Sequence, residues 1–141
     1  MAIALSTGLK NQILDGILNS AAGTDFDAGV LELRTGAAPG PDLAAAGTLV
    51  AEVAVPVDGF AAAASGSAAK AGTWQDTAAN AAGTVAHFRL RASGDVGGAS
   101  TTERRIEGSV TGTGGGGDIE LQNTVVEVGQ TITATSLTVS V

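Results

Sequence analysis

Between Ser6 and Ser20 the apolar residues Leu9, Ile13, Leu14, Ile17 and Leu18 recur at helical spacing, while Asn11, Gln12, Asp15, Gly16 and Asn19 occupy the other half of the wheel. This predicts an amphipathic helix over 6–20. Ser6 or Thr7 is placed to cap it by accepting an orphan amide of the first turn. Gly16 weakens the helix, and Gly23 is placed to end it by supplying a left-handed residue. So short a helix is marginal alone and must dock on something. The expectation is that its apolar face covers its own sheet.

From Val30 onward the period changes from 3.6 to 2. Leu31 and Leu33 alternate with Glu32 and Arg34. Leu49, Ala51, Val53 and Val55 share one face, and Ala86, Phe88 and Leu90 alternate with His87, Arg89 and Arg91. Further strands are predicted through Phe60–Ala64, approaching Trp74, and over Arg104–Val110, Ile119–Gln122 and Gln130–Val141. In the last of these, Ile132 and Ala134 have one parity and Leu137, Val139 and Val141 the other. A bulge near Thr135–Ser136, or two pieces in different sheets, would absorb that change. Turn clusters at 36–42, 64–67, 92–100 and 111–117 separate these segments. The pattern predicts an all-β fold, an antiparallel β-sandwich or jelly-roll-like module over 30–141 with one N-terminal helix, in a single domain spanning 1–141. The C-terminal residues are expected to lie in a sheet.

Composition makes the core thin. Of 141 residues 44% are apolar, but 27 are alanine, and aromatic residues make up only 3%. Such a module gains stability from neighbours, so contacts with copies of itself are expected. The net charge of −7 opposes a sequence-independent grip on phosphate backbones or anionic lipid, which excludes nucleic acid and membrane as partners. The first ten residues lack the basic start of a secretory signal and any span long enough for a bilayer, which predicts a soluble chain. With no cysteine there are no disulfides or thiolate nucleophiles.

Residues Gly112–Gly117 match GxGxxG, but the following Asp118-Ile-Glu-Leu-Gln alternates as a strand, so no helix N-terminus can receive a phosphate and a hairpin loop is expected. The tetrad Ser67-Ala-Ala-Lys70 matches SxxK in glycine-broken sequence without SDN or KTG. His87 is the only histidine, which excludes a triad or a multi-histidine metal site within one chain. Sharing a strand face with Arg89 and Arg91, it reads as a surface residue. Asp25 and Asp27 resemble the start of a calcium loop, but the remaining ligand positions are missing and a helix-to-strand turn is expected. No catalytic, cofactor-binding or metal-binding residue is predicted. Trp74 is expected in the core or at a subunit contact. The charges of Glu103–Glu107 are spaced to pair across strands with Arg89 and Arg91, setting register on a solvated face or serving a contact between subunits. Leu9, Ile13, Ile17, Trp74, Arg89 and Arg91 are therefore the candidate interface residues.

Four stretches, MAIALSTGLKNQILDGIL, LELRTGAAPGPDLAAAGTLVAEVAVP, KAGTWQDTAANAAGTVAHFRLRASGD and EGSVTGTGGGGDIELQNTVVEVGQTITATSLTVSV, cover most of the chain in order. Together they resemble small virion structural proteins of tailed bacteriophages, of the capsid decoration or cement type. The resemblance implies a sandwich or jelly-roll-like module in the virion. It would bind repeatedly to the major capsid protein of the head shell and to copies of itself, and stabilise the shell against internal DNA pressure without catalysis. The alternative is a tail, neck or fibre-associated β-module that binds another virion protein or a host glycan.

Overall fold

The computed structural model describes residues 3–19, 26 and 28–141. Ser20, Gly23, Asp25 and Asp27, to which sequence assigned a helix end and a turn, lie outside the described residues. The helix α1 runs over Thr7–Leu18, and Ser6 caps it as expected, its Oγ accepting from the Leu9 amide at 3.3 Å.

Among the described residues ten strands follow: β1 Val30–Thr35, β2 Leu49–Ala54, β3 Ser67–Ala69, β4 Trp74–Asp76, β5 Gly83–Arg91, β6 Arg105–Gly112, β7 Ile119–Leu121, β8 Val125–Val126, β9 Ile132–Ala134 and β10 Thr138–Ser140. The principal sheet has the order β2-β1-β5-β6-β7, and β8 pairs with the start of β5. Two ribbons, β10-β3 and β4-β9, complete the structure. The described residues are thus mostly β, with one short helix and a curled mixed sheet. The sheet is not purely antiparallel, because β6 and β7 run parallel. The parity change near Thr135–Ser136 is absorbed by the second of the two expected routes: β9 pairs with β4, and β10 pairs with β3. The expected strand over Phe60–Ala64 reduces to isolated bridges, Phe60 with Lys70 and Ala64 with Ser67.

Register sorts the central strands into two faces. Val53, Leu31, Leu90 and Ile106 form one row across β2-β1-β5-β6, and Ala51, Leu33, Phe88 and Gly108 form the next. These rows share a single hydrophobic cluster with Trp74 and Ala134 of the β4-β9 ribbon, Ala68 of β3, and Leu14 and Leu18 of α1. Trp74 is fully buried, meets Phe60 edge to face at 5.2 Å and donates its indole N–H to the Ala71 carbonyl at 2.9 Å. Among the described residues no helix is long and apolar enough to cross a membrane.

Candidate functional site

The opposite face of the same strands carries nearly all the sheet's charge. Register places Glu52, Glu32, Arg89 and Glu107 in one row across β2-β1-β5-β6, with Arg34, His87 and Ser109 on one side of it and Arg91 and Arg105 on the other. Two positions put like charges directly opposite, Glu32 with Glu52 and Arg91 with Arg105, an unfavourable pairing by itself. One diagonal pair, one pair along β1 and one to the β5–β6 loop resolve it. The Glu32 carboxylate is held between Arg34 Nε at 2.8 Å and Arg91 Nε at 2.9 Å, and Arg105 grips Asp95 through two bonds of 2.5 and 2.7 Å.

Most of this face is covered, with Glu52 and Ser109 left exposed, which corrects the sequence expectation of a solvated face. The loops joining β1 to β2 and β5 to β6 lie over it, and their bare carbonyls are what the guanidinium groups bind. Arg89, 0% exposed, pairs with Glu107 and donates to the carbonyls of Gly40 at 3.1 Å, Leu43 at 2.9 Å and Gly97 at 3.4 Å. The other Glu107 oxygen accepts the Gly40 amide at 2.9 Å. Arg105 reaches the Pro41 carbonyl at 3.1 Å, Arg34 reaches Gly47 at 3.1 Å, and Arg91 donates to the Asp95 carbonyl. The two loops also bond to each other, Ala45 to Gly97 and Ser100 to Asp42. Pro39 and Pro41 lack amide donors and the glycines carry no side chain, so these loops offer acceptors to a donor-rich sheet face.

The electrostatics follow from this cover. Burial of Glu32 favours its neutral form, but hydrogen bonds and charge from Arg34 and Arg91 outweigh it and hold the carboxyl below its ordinary value. The Arg105 bond holds Asp95 down against its burial, with help from the Gly97 amide. His87 is likewise interior, 2% exposed. Its Nδ1 lies 2.8 Å from the Gly36 carbonyl and so carries the proton, while Nε2 is buried without a partner among the described residues. The expectation of a surface histidine fails because the β1–β2 loop covers it.

The glycine-rich segment is not a hairpin, since β6 and β7 run parallel. Its amides are already engaged by an anion from the same chain: the Glu120 carboxylate accepts from Gly114 at 3.2 Å and Gly116 at 3.1 Å, and Thr111 Oγ1 accepts from Gly117 at 2.9 Å. Ser67 and Lys70 serve separate partners. The Ser67 hydroxyl meets that of Ser140 at 2.8 Å, and Lys70 Nζ donates to the Gly72 carbonyl at 2.9 Å.

The helix is rotated by roughly a quarter turn from the expected orientation. Only Leu14 and Leu18 of its apolar set are buried, and the residues beside them on the inner face are polar. Asn11 Oδ1 accepts the Gly66 amide at 2.9 Å and Asp15 Oδ1 accepts the Ala63 amide at 2.7 Å, so the turn before β3 is what the helix grips. Leu9 at 44% and Ile17 at 39% exposure are left outside, with Ile13 half-buried between them. Of the candidate interface residues, Leu9, Ile13 and Ile17 therefore form one outward stripe. Trp74 and Arg89 are consumed inside the chain and present no surface, and Arg91 is largely covered. Compared with known protein-family models, curated proteins and solved structures, the chain matches none.

Proposed function

We propose that this chain is a virion structural protein of a tailed bacteriophage, and that it acts as a decoration or cement protein on the head shell, binding the major capsid protein by non-covalent burial. The observation that carries the reading is the outward stripe of Leu9, Ile13 and Ile17 on a helix whose inner face is anchored by Asn11 and Asp15. Apolar side chains held outward on a fixed helix are a contact surface that awaits a partner. Two further features support the reading. The loops are clamped by buried guanidinium groups, giving a module that keeps its shape under load, and four long stretches resemble shell-decorating virion proteins in order along the chain. A sandwich or jelly-roll-like description of the curled sheet and its ribbons belongs to the same proposal.

Quantifying the protein against the major capsid protein in purified particles tests this. A copy number comparable with that of the shell protein is expected. A few copies per particle would instead place it in a tail, neck or fibre, and absence from particles would end the reading.

A further inference from the structure

The ribbon β10-β3 has one open edge. The Leu137 carbonyl accepts from the Lys70 amide at 2.8 Å, and the Val141 amide donates to the Gly66 carbonyl at 3.0 Å, so the odd-numbered residues bond toward β3. The N–H and C=O groups of Thr138 and Ser140 therefore point the other way, where no strand pairs among the described residues. Beside this edge runs a groove of about 320 Å³ whose apolar lining comes from Leu14, Ile17, Leu18, Ile106, Val139 and Val141, with Glu103, Arg104 and Arg105 also bordering it. An unpaired edge next to an apolar groove is what an added strand requires: main-chain groups for attachment and space for alternate side chains.

The chain carries a segment of matching character. Ahead of the Ser6 cap, Ile3 and Leu5 alternate with Ala4, and residues 3–5 belong to no helix or strand. Ile3 is 95% exposed, and Leu5 is exposed as well, so the arm does not fill the groove of its own chain. Its three residues equal β10 in length, and its parity would bring both large side chains to the face that carries Val139 and Val141.

We infer that the N-terminal arm of one copy adds as a strand to the open edge of β10 in a second copy, seating Ile3 and Leu5 in the apolar groove. The exchange links copies of this chain, reciprocally or around a ring; it takes up Ile17 at the end of the α1 stripe and leaves Leu9 and Ile13 free for whichever virion component the assembly binds.

Sedimentation of the full chain tests it beside the variant Ile3→Asp/Leu5→Asp, whose substitutions touch no core residue. Concentration-dependent association is expected for the parent and should weaken by roughly tenfold or more in the variant, with an unchanged circular dichroism spectrum. The absence of native cysteine allows a second measurement. Ile3→Cys chains mixed with Val139→Cys chains should form the mixed disulfide faster than either forms its own. A parent that stays monomeric at every concentration, a variant that associates as the parent does, or self-linked products in equal yield would each overturn the exchange. None of these three results bears on the copy number in particles.

Discussion

The two faces of the central sheet are made by the same strands, yet they are held by different physics. On one, Leu31, Leu33, Phe88 and Leu90 close against the ribbons and the helix, and the cohesion is removal of apolar area from water. On the other, Glu32 and Arg89 are buried and Arg91 is largely covered, but every contact is directional and ends on a named loop carbonyl, amide or carboxylate. The apolar face can tolerate small readjustments of shape. The charged face cannot lose one member without leaving others buried and unpaired. It thus fixes the course of two long loops, of which the β1–β2 loop is almost bare of polar side chains and the β5–β6 loop adds its own Asp95 and Ser100 as acceptors.

The largest expected effect separates these two modes. Arg89→Ala takes the ion-pair partner from Glu107 and the guanidinium donor from the Gly40, Leu43 and Gly97 carbonyls, leaving Glu107 only the Gly40 amide and Leu43 only a long bond from Arg105, and should cost about 3–5 kcal/mol in urea unfolding. Adding Glu107→Leu to Arg89→Met should recover only part of this, because the loop carbonyls stay unsatisfied. Full recovery would show that the pair, not the loop clamp, is what matters.

On the apolar face Leu33→Ala should cost about 2–5 kcal/mol, with no change in the acid dependence of stability. Next in size is Gly108→Ala. A Cβ there would stand 2.7 Å from both the Phe88 ring and the Asp118 carboxylate, an overpacking cost of about 1–3 kcal/mol by thermal unfolding. An unchanged melting temperature would mean that β6 can shift away from Phe88.

The smallest effect is a pH dependence carried mainly by the charged face, to which Asp118 adds, its carboxyl held down by the Ser109 amide and hydroxyl. Glu32 and Asp95 titrate below their ordinary values of 4.5 and 3.8 when folded, so the unfolded chain binds more protons in that range. Stability should therefore be level above about pH 6 and fall as the pH drops through 4.5 and 3.8. A melting temperature that rises on acidification would contradict the buried pairs.

The strands were legible because alternation survives whatever covers each face: Leu31 and Leu33, and Phe88 and Leu90, point to one side in sequence and in structure. What polar positions face was not legible, since the rule that charge lies outside fails where a loop offers acceptors. A signal was present: three basic residues on one strand face, a glutamate in each neighbouring strand, and a Gly/Pro loop rich in free carbonyls. The helix was placed by period but rotated, because Asn11 and Asp15 bind turn amides whose positions are set by β3, far along the chain. The parallel pairing after Gly112 depends on Glu120 and Asp118 capturing backbone and hydroxyl donors, which no periodicity encodes.

The outward stripe of α1 ties the fold to the proposed role, and its central claim is that these side chains act between molecules rather than within one. Particle binding by the double variant Leu9→Gln/Ile13→Gln, measured beside its melting temperature, tests this most directly. The account predicts that binding falls by roughly tenfold or more while the melting temperature stays near that of the parent. Parent-like binding, or a collapse in stability that accompanies the lost binding, would contradict it.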